Sequence, residues 1–214
     1  MKITLITKKM KKIILSAIAV LVFGFANAQK AQFGLKGGVN VASQNYSGDG
    51  APSPSSIIGF HIGGFVEIKI SDKFSIQPEL VYSTQGSKFD FMAEYDGNIY
   101  DTENTFKLSY INIPVMFKYY ATEKFSLEAG PQLGFLTSSK METEVIGQSV
   151  TQNVKSLFES IDFGLNIGAG YYFTKNISAG VRYNFGLANV GKNEDGSDDS
   201  IKNNVFSVSL GYKF

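Results

Sequence analysis

The chain has 214 residues, 20 basic and 19 acidic side chains, one histidine and no cysteine. The length suits one domain, and the lack of cysteine excludes a disulfide framework, a thiolate metal site and a cysteine nucleophile. The mean hydropathy is −0.02, which is too polar for a bundle of membrane helices but fits a barrel whose lipid-facing and lumen-facing residues average out.

Residues 1–28 have the pattern of a secretory signal peptide. Four lysines between positions 8 and 12 precede an apolar run over residues 13–25, and an A-x-A site ends at Ala28. Cleavage is expected between Ala28 and Gln29, which leaves residues 29–214 as an outer-membrane β-barrel domain. The apolar run is too short for an ordinary transmembrane helix.

The start and the charge of the mature chain follow from this leader. Met10 with Lys11 and Lys12 already makes a sufficient positive region, so translation starts at Met1 or at Met10. Without the five lysines of the leader, 15 basic and 19 acidic residues remain. That balance does not favour a nucleic-acid partner.

Eight segments of the mature chain alternate apolar and polar residues, which indicates β-strands with one apolar face. In chain order they are residues 33–42, 57–70, 74–88, 106–120, 125–138, 160–173, 177–187 and 205–214. The clearest is 177–187, in which Ile177, Val181 and Phe185 alternate with small or polar residues. Pro78, Pro114 and Pro131 fall inside strands, where bulges or locally missing hydrogen bonds are expected because proline cannot donate to the ladder.

The connections alternate strictly between long and short. The short ones are residues 71–73, 122–124 and 174–176, and the long ones are 43–56, 90–105, 139–159 and 188–203. Short turns at one rim and long loops at the other are typical of outer-membrane barrels, and an even strand count puts both termini at the short-turn rim. The long segments are interpreted as surface loops, although 90–105 and 139–159 have room for a hairpin extension.

Alternation alone also fits a secreted soluble barrel with its apolar side chains inside. Charges of both signs and many glycines on the polar face favour a narrow polar lumen with lipid outside. The charged residues of that face are Lys36, Glu67, Lys69, Glu79, Lys118, Glu128, Asp162, Arg182 and Lys213. Aromatic residues predict two girdles, one near the short turns (Phe74, Tyr119, Phe125, Phe173 and Phe214) and one toward the long loops (Phe106, Phe135, Phe163 and Phe185). The predicted fold is an all-β, eight-stranded antiparallel up-and-down transmembrane β-barrel.

Several short motifs resemble a known family. They are G-x-K-G-G-x-N at 34–40, Q-P-E-L at 77–80, I-P-V at 113–115, E-A-G-P at 128–131 and the last strand ending on Phe214. Together with the signal peptide they are similar to the PorT-like, porin-family outer-membrane β-barrel proteins, and the architecture resembles the small OmpA/OmpX barrels. The resemblance covers the whole mature chain and implies the fold rather than a function. One branch of that family is linked to protein secretion, and none of these motifs places the chain in that branch.

The first candidate site is a lumen charge network of Lys36, Glu67, Glu79, Lys118, Glu128, Asp162 and Arg182. Buried charges must be paired, so a balanced set in an eight-strand bore predicts a plug, and a gated ion path is the alternative. His61, with Ser83 or Glu79 near it, is the only basis for an enzyme, and no motif supports that constellation. Carboxylates in residues 191–200 are interpreted as a solvated acidic loop, since they lack the ligand spacing of an EF-hand, and binding of Ca²⁺ or bridging of divalent ions to lipopolysaccharide is the alternative. No catalytic residue, metal or cofactor is expected.

The second candidate site is the C-terminal strand. Leu210, Tyr212 and Phe214 are predicted to form the signal that the outer-membrane insertion machinery recognises by strand pairing. We expect the protein to be exported to the periplasm and then inserted into the bacterial outer membrane. There it is expected to be a monomer in contact with lipid and lipopolysaccharide. Its expected role is structural or surface interaction through the long loops, to a partner that the sequence does not identify. A small-solute porin and, more weakly, a lipid-modifying enzyme are the alternatives.

Overall fold

The computed structural model describes residues 31–47, 54–95, 98–145, 148–192 and 199–214. Their secondary structure is nine β-strands and one short 3-10 helix over Lys155–Leu157. The strands are β1 (Ala31–Ser47), β2 (Ser55–Lys69), β3 (Phe74–Tyr95), β4 (Asn98–Tyr120), β5 (Phe125–Val145), β6 (Gln148–Asn153), β7 (Ile161–Tyr172), β8 (Ile177–Gly186) and β9 (Ser200–Lys213). The predicted leader and its cleavage site lie outside the described residues.

Eight of these strands form a closed ring. The hydrogen-bonded order is β4-β3-β2-β1-β9-β8-β7-β5, and β4 also pairs with β5, which closes the barrel. Pairing between β1 and β9 runs without interruption from Gly34 opposite Lys213 to Ser47 opposite Ser200. The fold is therefore the predicted antiparallel up-and-down barrel of eight strands, and β6 is a ninth strand outside the ring.

Three short turns of one design connect strands at one rim. In each turn a hydroxyl of Ser71, Thr122 or Thr174 accepts hydrogen bonds from the amides two and three residues later, at distances of 2.9–3.3 Å. Such side-chain caps satisfy amides that the strand ladder leaves unpaired. The rim of short turns also holds the C-terminus, as the sequence predicted.

The barrel is apolar outside and polar inside. Side chains such as Leu35, Ile62, Leu80, Phe117 and Val208 are exposed around the ring, whereas asparagine, glutamine, serine and charged side chains are buried within it. This is the reverse of a soluble barrel, and it follows from the period-2 pattern of the strands. Among the described residues no helix has the length and apolar character needed to cross a membrane.

Most of residues 90–105 and much of 139–159 are strand extensions rather than loops, which is the alternative that the sequence left open for these two segments. β3 and β4 stay paired up to Tyr95 opposite Asn98, and β5 continues to Val145. β6 then pairs with the upper part of β5. The wall of β3, β4, β5 and β6 thus rises above the apolar belt as a sheet, which we call the extracellular sheet.

Bulges lie elsewhere than at the prolines. One extra residue enters β2 between Ser56 and His61, and one enters β5 opposite the step from Ser109 to Tyr110. Facing the first bulge, Gly86 has a φ of +148°, which non-glycine residues rarely adopt, and a Cβ there would meet the Phe106 carbonyl oxygen at 1.8 Å.

The prolines interrupt the ladder without shifting its register. The pairs of β2 with β3 skip two residues on each strand at Pro78, and those of β3 with β4 do so at Pro114. β4 and β5 show the same gap at Pro131. The sequence predicted either bulges or missing hydrogen bonds at the prolines. In the described strands the hydrogen bonds are missing and no bulge occurs there.

Candidate functional site

The centre of the lumen holds a group of ionised side chains around Glu79, which we call the Glu79 cluster. Arg182 donates to both carboxylate oxygens of Glu79 at 2.9 Å, and Lys36 donates to one of them at 2.8 Å. Arg182 also donates to Glu128 at 2.7 and 2.9 Å. The cluster holds two cations and two anions, so its charges balance.

A second group, the Glu67 cluster, lies toward the short turns. The buried Glu67 carboxylate accepts from Tyr172 at 2.9 Å and also from Tyr120. Lys213 and Lys118 stand 3.3 and 3.9 Å from it. Gln77 joins the two clusters, because it accepts from Lys118 at 3.1 Å and donates to Glu79 at 2.8 Å.

Asp162 belongs to neither cluster, which corrects its place in the predicted charge network. It is 5% exposed, and its Oδ2 accepts from Asn203 at 2.9 Å. Asn203 also donates to the Tyr110 hydroxyl and accepts from Gln44 at 3.1 Å, so at this level of the bore Asp162 is bonded to a chain of neutral groups rather than to a cation. Asp162 is the second residue of β7, at the long-loop end of the barrel, whereas the lumen cations lie nearer the centre and the short turns. Lys69, which shares the inward phase, is exposed at the short-turn rim.

His61 takes part in a structural hydrogen-bond network. Its Nδ1 lies 2.8 Å from the Asn40 side-chain oxygen, which also accepts from Ser207 at 2.9 Å. Ser83 bonds the same asparagine at 3.0 Å rather than the imidazole. The residues that would have made a His–Ser pair are thus both bonded to Asn40.

An apolar lid closes the long-loop end of the bore. Val154 and Phe158, on either side of the 3-10 helix, and Val190 are buried against Leu108, Tyr110 and Leu136 of the barrel wall. Phe106 packs against this lid, 5.9 Å from the Phe158 ring. The prediction that Phe106 belongs to a lipid-facing girdle is therefore wrong. The backbone holds the lid together through bonds such as Glu159 N to Val190 O at 2.8 Å.

Side chains from opposite walls meet at three heights of the bore. Glu67 on β2 bonds Tyr172 on β7, Glu79 on β3 bonds Arg182 on β8, and Tyr110 on β4 bonds Asn203 on β9. In the ring order three strands separate the members of each pair on either side. Two cavities of about 40 Å³ lie beside the central clusters, and each is large enough for roughly one to three water molecules.

Aromatic residues inside the lumen were missed by the sequence interpretation. Phe65 is buried on the same strand face as His61 and Glu67, and its ring occupies the space that a Cβ of Gly34 would need. Tyr172 was likewise not assigned to the lumen. These positions could have been found from the alternation of the strands, because residues two apart point to the same face. A ring two residues from a small or polar lumen residue therefore faces the lumen, although it is apolar.

The extracellular sheet has two unlike faces. On the outer face Lys88 pairs with Glu103 and Lys107 with Glu142. The hydrogen bond to Glu103 raises the pKa of Lys88. On the inner face the Phe89 ring lies 4.9 Å from Tyr46 and 5.9 Å from Phe106, and burial raises the pKa of the Tyr46 hydroxyl. This face continues into the lid.

The strands form a closed ring with an apolar exterior and a polar, charge-paired interior. Short turns lie at one rim and extended strands at the other. These features define a transmembrane β-barrel of the outer-membrane class. The family model "Outer membrane protein beta-barrel domain" matches residues 26–191, and the chain belongs to that family. The localisation that follows is the bacterial outer membrane.

Solved structures of small barrels are similar to this chain. Neisserial surface protein A is 17% identical, with 87% of this chain and all of that chain covered and a TM-score of 0.51. Ail, the attachment invasion locus protein of Yersinia pestis, is 15% identical over the same shares of the two chains, with a TM-score of 0.48. The outer membrane protease OmpT from Escherichia coli is 11% identical over 86% of this chain and 96% of that chain, with a TM-score of 0.43. The likeness to the neisserial protein agrees with the fold. No curated protein matches the chain by sequence.

Proposed function

We propose that this protein is a closed outer-membrane barrel that acts at the cell surface through its extracellular sheet and remaining loops, without passing solutes. The observation that carries the proposal is the Arg182–Glu79 pair, which joins opposite walls across the centre of the lumen. A pair fixed by two parallel hydrogen bonds is costly to separate in a site away from bulk water. The surface that remains for function is therefore the part of the chain above the apolar belt.

Conductance of single barrels tests the closed lumen. The mature protein is refolded, shown to be folded by heat-modifiable migration in gels, and inserted into a planar bilayer. The expected result is silence. Steady openings of porin size would refute the closed lumen and make solute diffusion the function.

A variant sharpens that test. Removing the Arg182 guanidinium together with the lid ring, as R182A/F158A, takes away one cross-wall contact and the largest lid side chain. We expect this double variant to show openings that the parent lacks. A channel in the parent would instead leave conductance present in both proteins.

We further propose the assembly route and contacts that the sequence predicted. The chain is exported to the periplasm, the last strand with Leu210, Tyr212 and Phe214 is presented to the insertion machinery, and the barrel stands as a monomer among lipid and lipopolysaccharide. These three side chains are exposed on one face of the C-terminal segment, in keeping with such a signal. From the motifs named in the sequence analysis we also propose that the chain belongs with the PorT-like, porin-family barrel proteins and that it is not an enzyme.

A further inference from the structure

The strand β6 has a free edge. Among the described strands it is hydrogen-bonded only to β5, through six consecutive residue pairs from Lys140 opposite Asn153 to Val145 opposite Gln148. The N–H and C=O groups of every second residue in a strand point toward the side away from its neighbour. Along β6 those groups meet no other described strand, so the edge offers main-chain donors and acceptors above the membrane.

This edge lacks the usual protection against pairing. Proteins blunt free edges with lysine, proline, inward charges or bulges. The β6 sequence is Gln-Ser-Val-Thr-Gln-Asn, all six residues are exposed, and its register with β5 is regular. The only large apolar side chain on it, Val150, is 57% exposed. The strand is uncharged as well, so like-charge repulsion does not oppose a neighbour.

From these observations we propose that β6 pairs antiparallel with β6 of a second copy of this protein, centred on Val150. A two-fold axis through this pair sets Val150 against Val150, Gln148 against Gln152 and Ser149 against Thr151. Side chains directly opposite each other in an antiparallel pair share a face, and this register keeps each face of one strand with the same face of the other. The sequence is thus complementary to itself: an apolar pair between two amide pairs on one face, and hydroxyls on the other.

The axis also fixes where the second copy stands. Antiparallel neighbours are related by an axis perpendicular to the strands, and the strands run from one rim of the barrel to the other. The two barrels therefore meet with their extracellular ends facing each other, as in two opposed membranes, while copies in one membrane stay monomeric. Six residues a side make a small contact, so single barrels pair at high concentration, and many copies on facing surfaces strengthen the contact.

The inference rests on the proposed function, because it names a partner for the extracellular sheet. It is tested with single barrels in lipid nanodiscs, which leave the extracellular end accessible. The chain has no cysteine, so V150C carries one thiol. Under mild oxidation we expect V150C discs to form disulfide-linked pairs. The control is L157C, because Leu157 is 50% exposed and lies on the same end of the barrel but outside β6.

A charge exchange separates this pairing from adventitious contact. V150K and V150E each place like charges opposite each other. We expect analytical ultracentrifugation to show paired discs for the parent and single discs for each variant alone. Mixing the two variants is expected to restore the paired discs, whereas a mixture of L157K and L157E is not.

Single discs for the parent at every concentration, or equal disulfide yields for V150C and L157C, would overturn the proposal. Retention of a foreign extended peptide that V150K abolishes, with discs remaining single, would overturn it too and identify another polypeptide as the partner. Conductance decides the closed lumen separately. Paired discs together with openings in the planar bilayer would retain this inference and refute the closed barrel, and single discs with a silent bilayer would do the reverse.

Discussion

Arg182 on β8 and Glu79 on β3 face each other across the full width of the barrel, and the guanidinium donates to both carboxylate oxygens at 2.9 Å. The same guanidinium donates to Glu128, so one cation is shared by two anions from β3 and β5. Lys36 supplies the second cation. The centre of the bore is thus held by a single connected group of ionised side chains from four strands.

The variant R182A is expected to destabilise the barrel by about 3–5 kcal/mol, because it leaves two buried carboxylates with one cation between them. Urea unfolding of the protein in detergent micelles, followed by the gel shift of the folded form, measures the loss. The matched control is K107A, which breaks an ion pair on the exposed outer face of the extracellular sheet and is expected to cost about 0–1 kcal/mol. Similar losses for the two variants would contradict the structural role of the Glu79 cluster.

The lid is expected to control access from outside. Ser139 is fully buried beside it, with its carbonyl accepting from Val154 N, and S139C is nearly isosteric. We expect a water-soluble thiol reagent to react slowly with S139C and much faster with S139C/F158A, because the alanine leaves a gap above the bore.

The corresponding control is S126C, a fully buried position near the short-turn rim. Its reaction rate should be the same with Phe158 or alanine in the lid. Faster reaction at both positions would mean that F158A loosens the whole barrel rather than the lid.

Gly34 and Phe65 are expected to be coupled. A Cβ at position 34 would lie 2.2 Å from the Phe65 Cζ atom, so G34A forces the ring to move and should cost about 1–3 kcal/mol of unfolding free energy. At Gly37, on the same strand, the closest atom to an added Cβ is 3.5 Å away, so G37A should have little effect. The double variant G34A/F65L should recover part of the loss, since leucine is shorter, and additive losses would argue against the contact.

The terminal aromatic side chain is expected to matter for assembly rather than for stability. F214A keeps the main-chain bond from Phe214 N to Phe33 O and removes only an exposed ring. We expect less heat-modifiable protein in the outer-membrane fraction of expressing cells, with an unchanged unfolding midpoint for the protein that is refolded in vitro. L187A, which removes an exposed apolar side chain far from the terminus, is the comparison, and equal yields for both would refute the assembly signal.

The sequence predicted the barrel wall well because its lipid-facing residues alternate without ambiguity. All eight predicted strands occur, and the strand starting at Phe74 and the one starting at Ile177 begin at the predicted residue. Above the apolar belt the alternation weakens, since both sheet faces there accept polar residues, and residues 90–105 were therefore interpreted as a loop. A ninth strand at Gln148–Asn153 has no apolar stripe that would reveal it.

The candidate site was predictable in composition but not in pairing. Strand phase showed that Glu79, Lys118, Glu128 and Arg182 point inward. Which of them meet depends on the stagger between strands on opposite walls, and that offset is not encoded in any one segment. Asp162 has the right phase at the wrong height, so it bonds Asn203 instead of a cation.

Lumen carboxylates lie at the places where the prolines interrupt the strand ladder. Glu67 and Pro78 lie at the gap between β2 and β3, and Glu79 and Pro114 lie at the gap between β3 and β4. Where the backbone ladder of the wall is thinnest, a carboxylate therefore ties that wall by several bonds to the far side of the ring. The bonds through the bore therefore add resistance to shear at the points where the ladder lacks two pairs, and loss of the lumen carboxylates would make this half of the barrel more deformable.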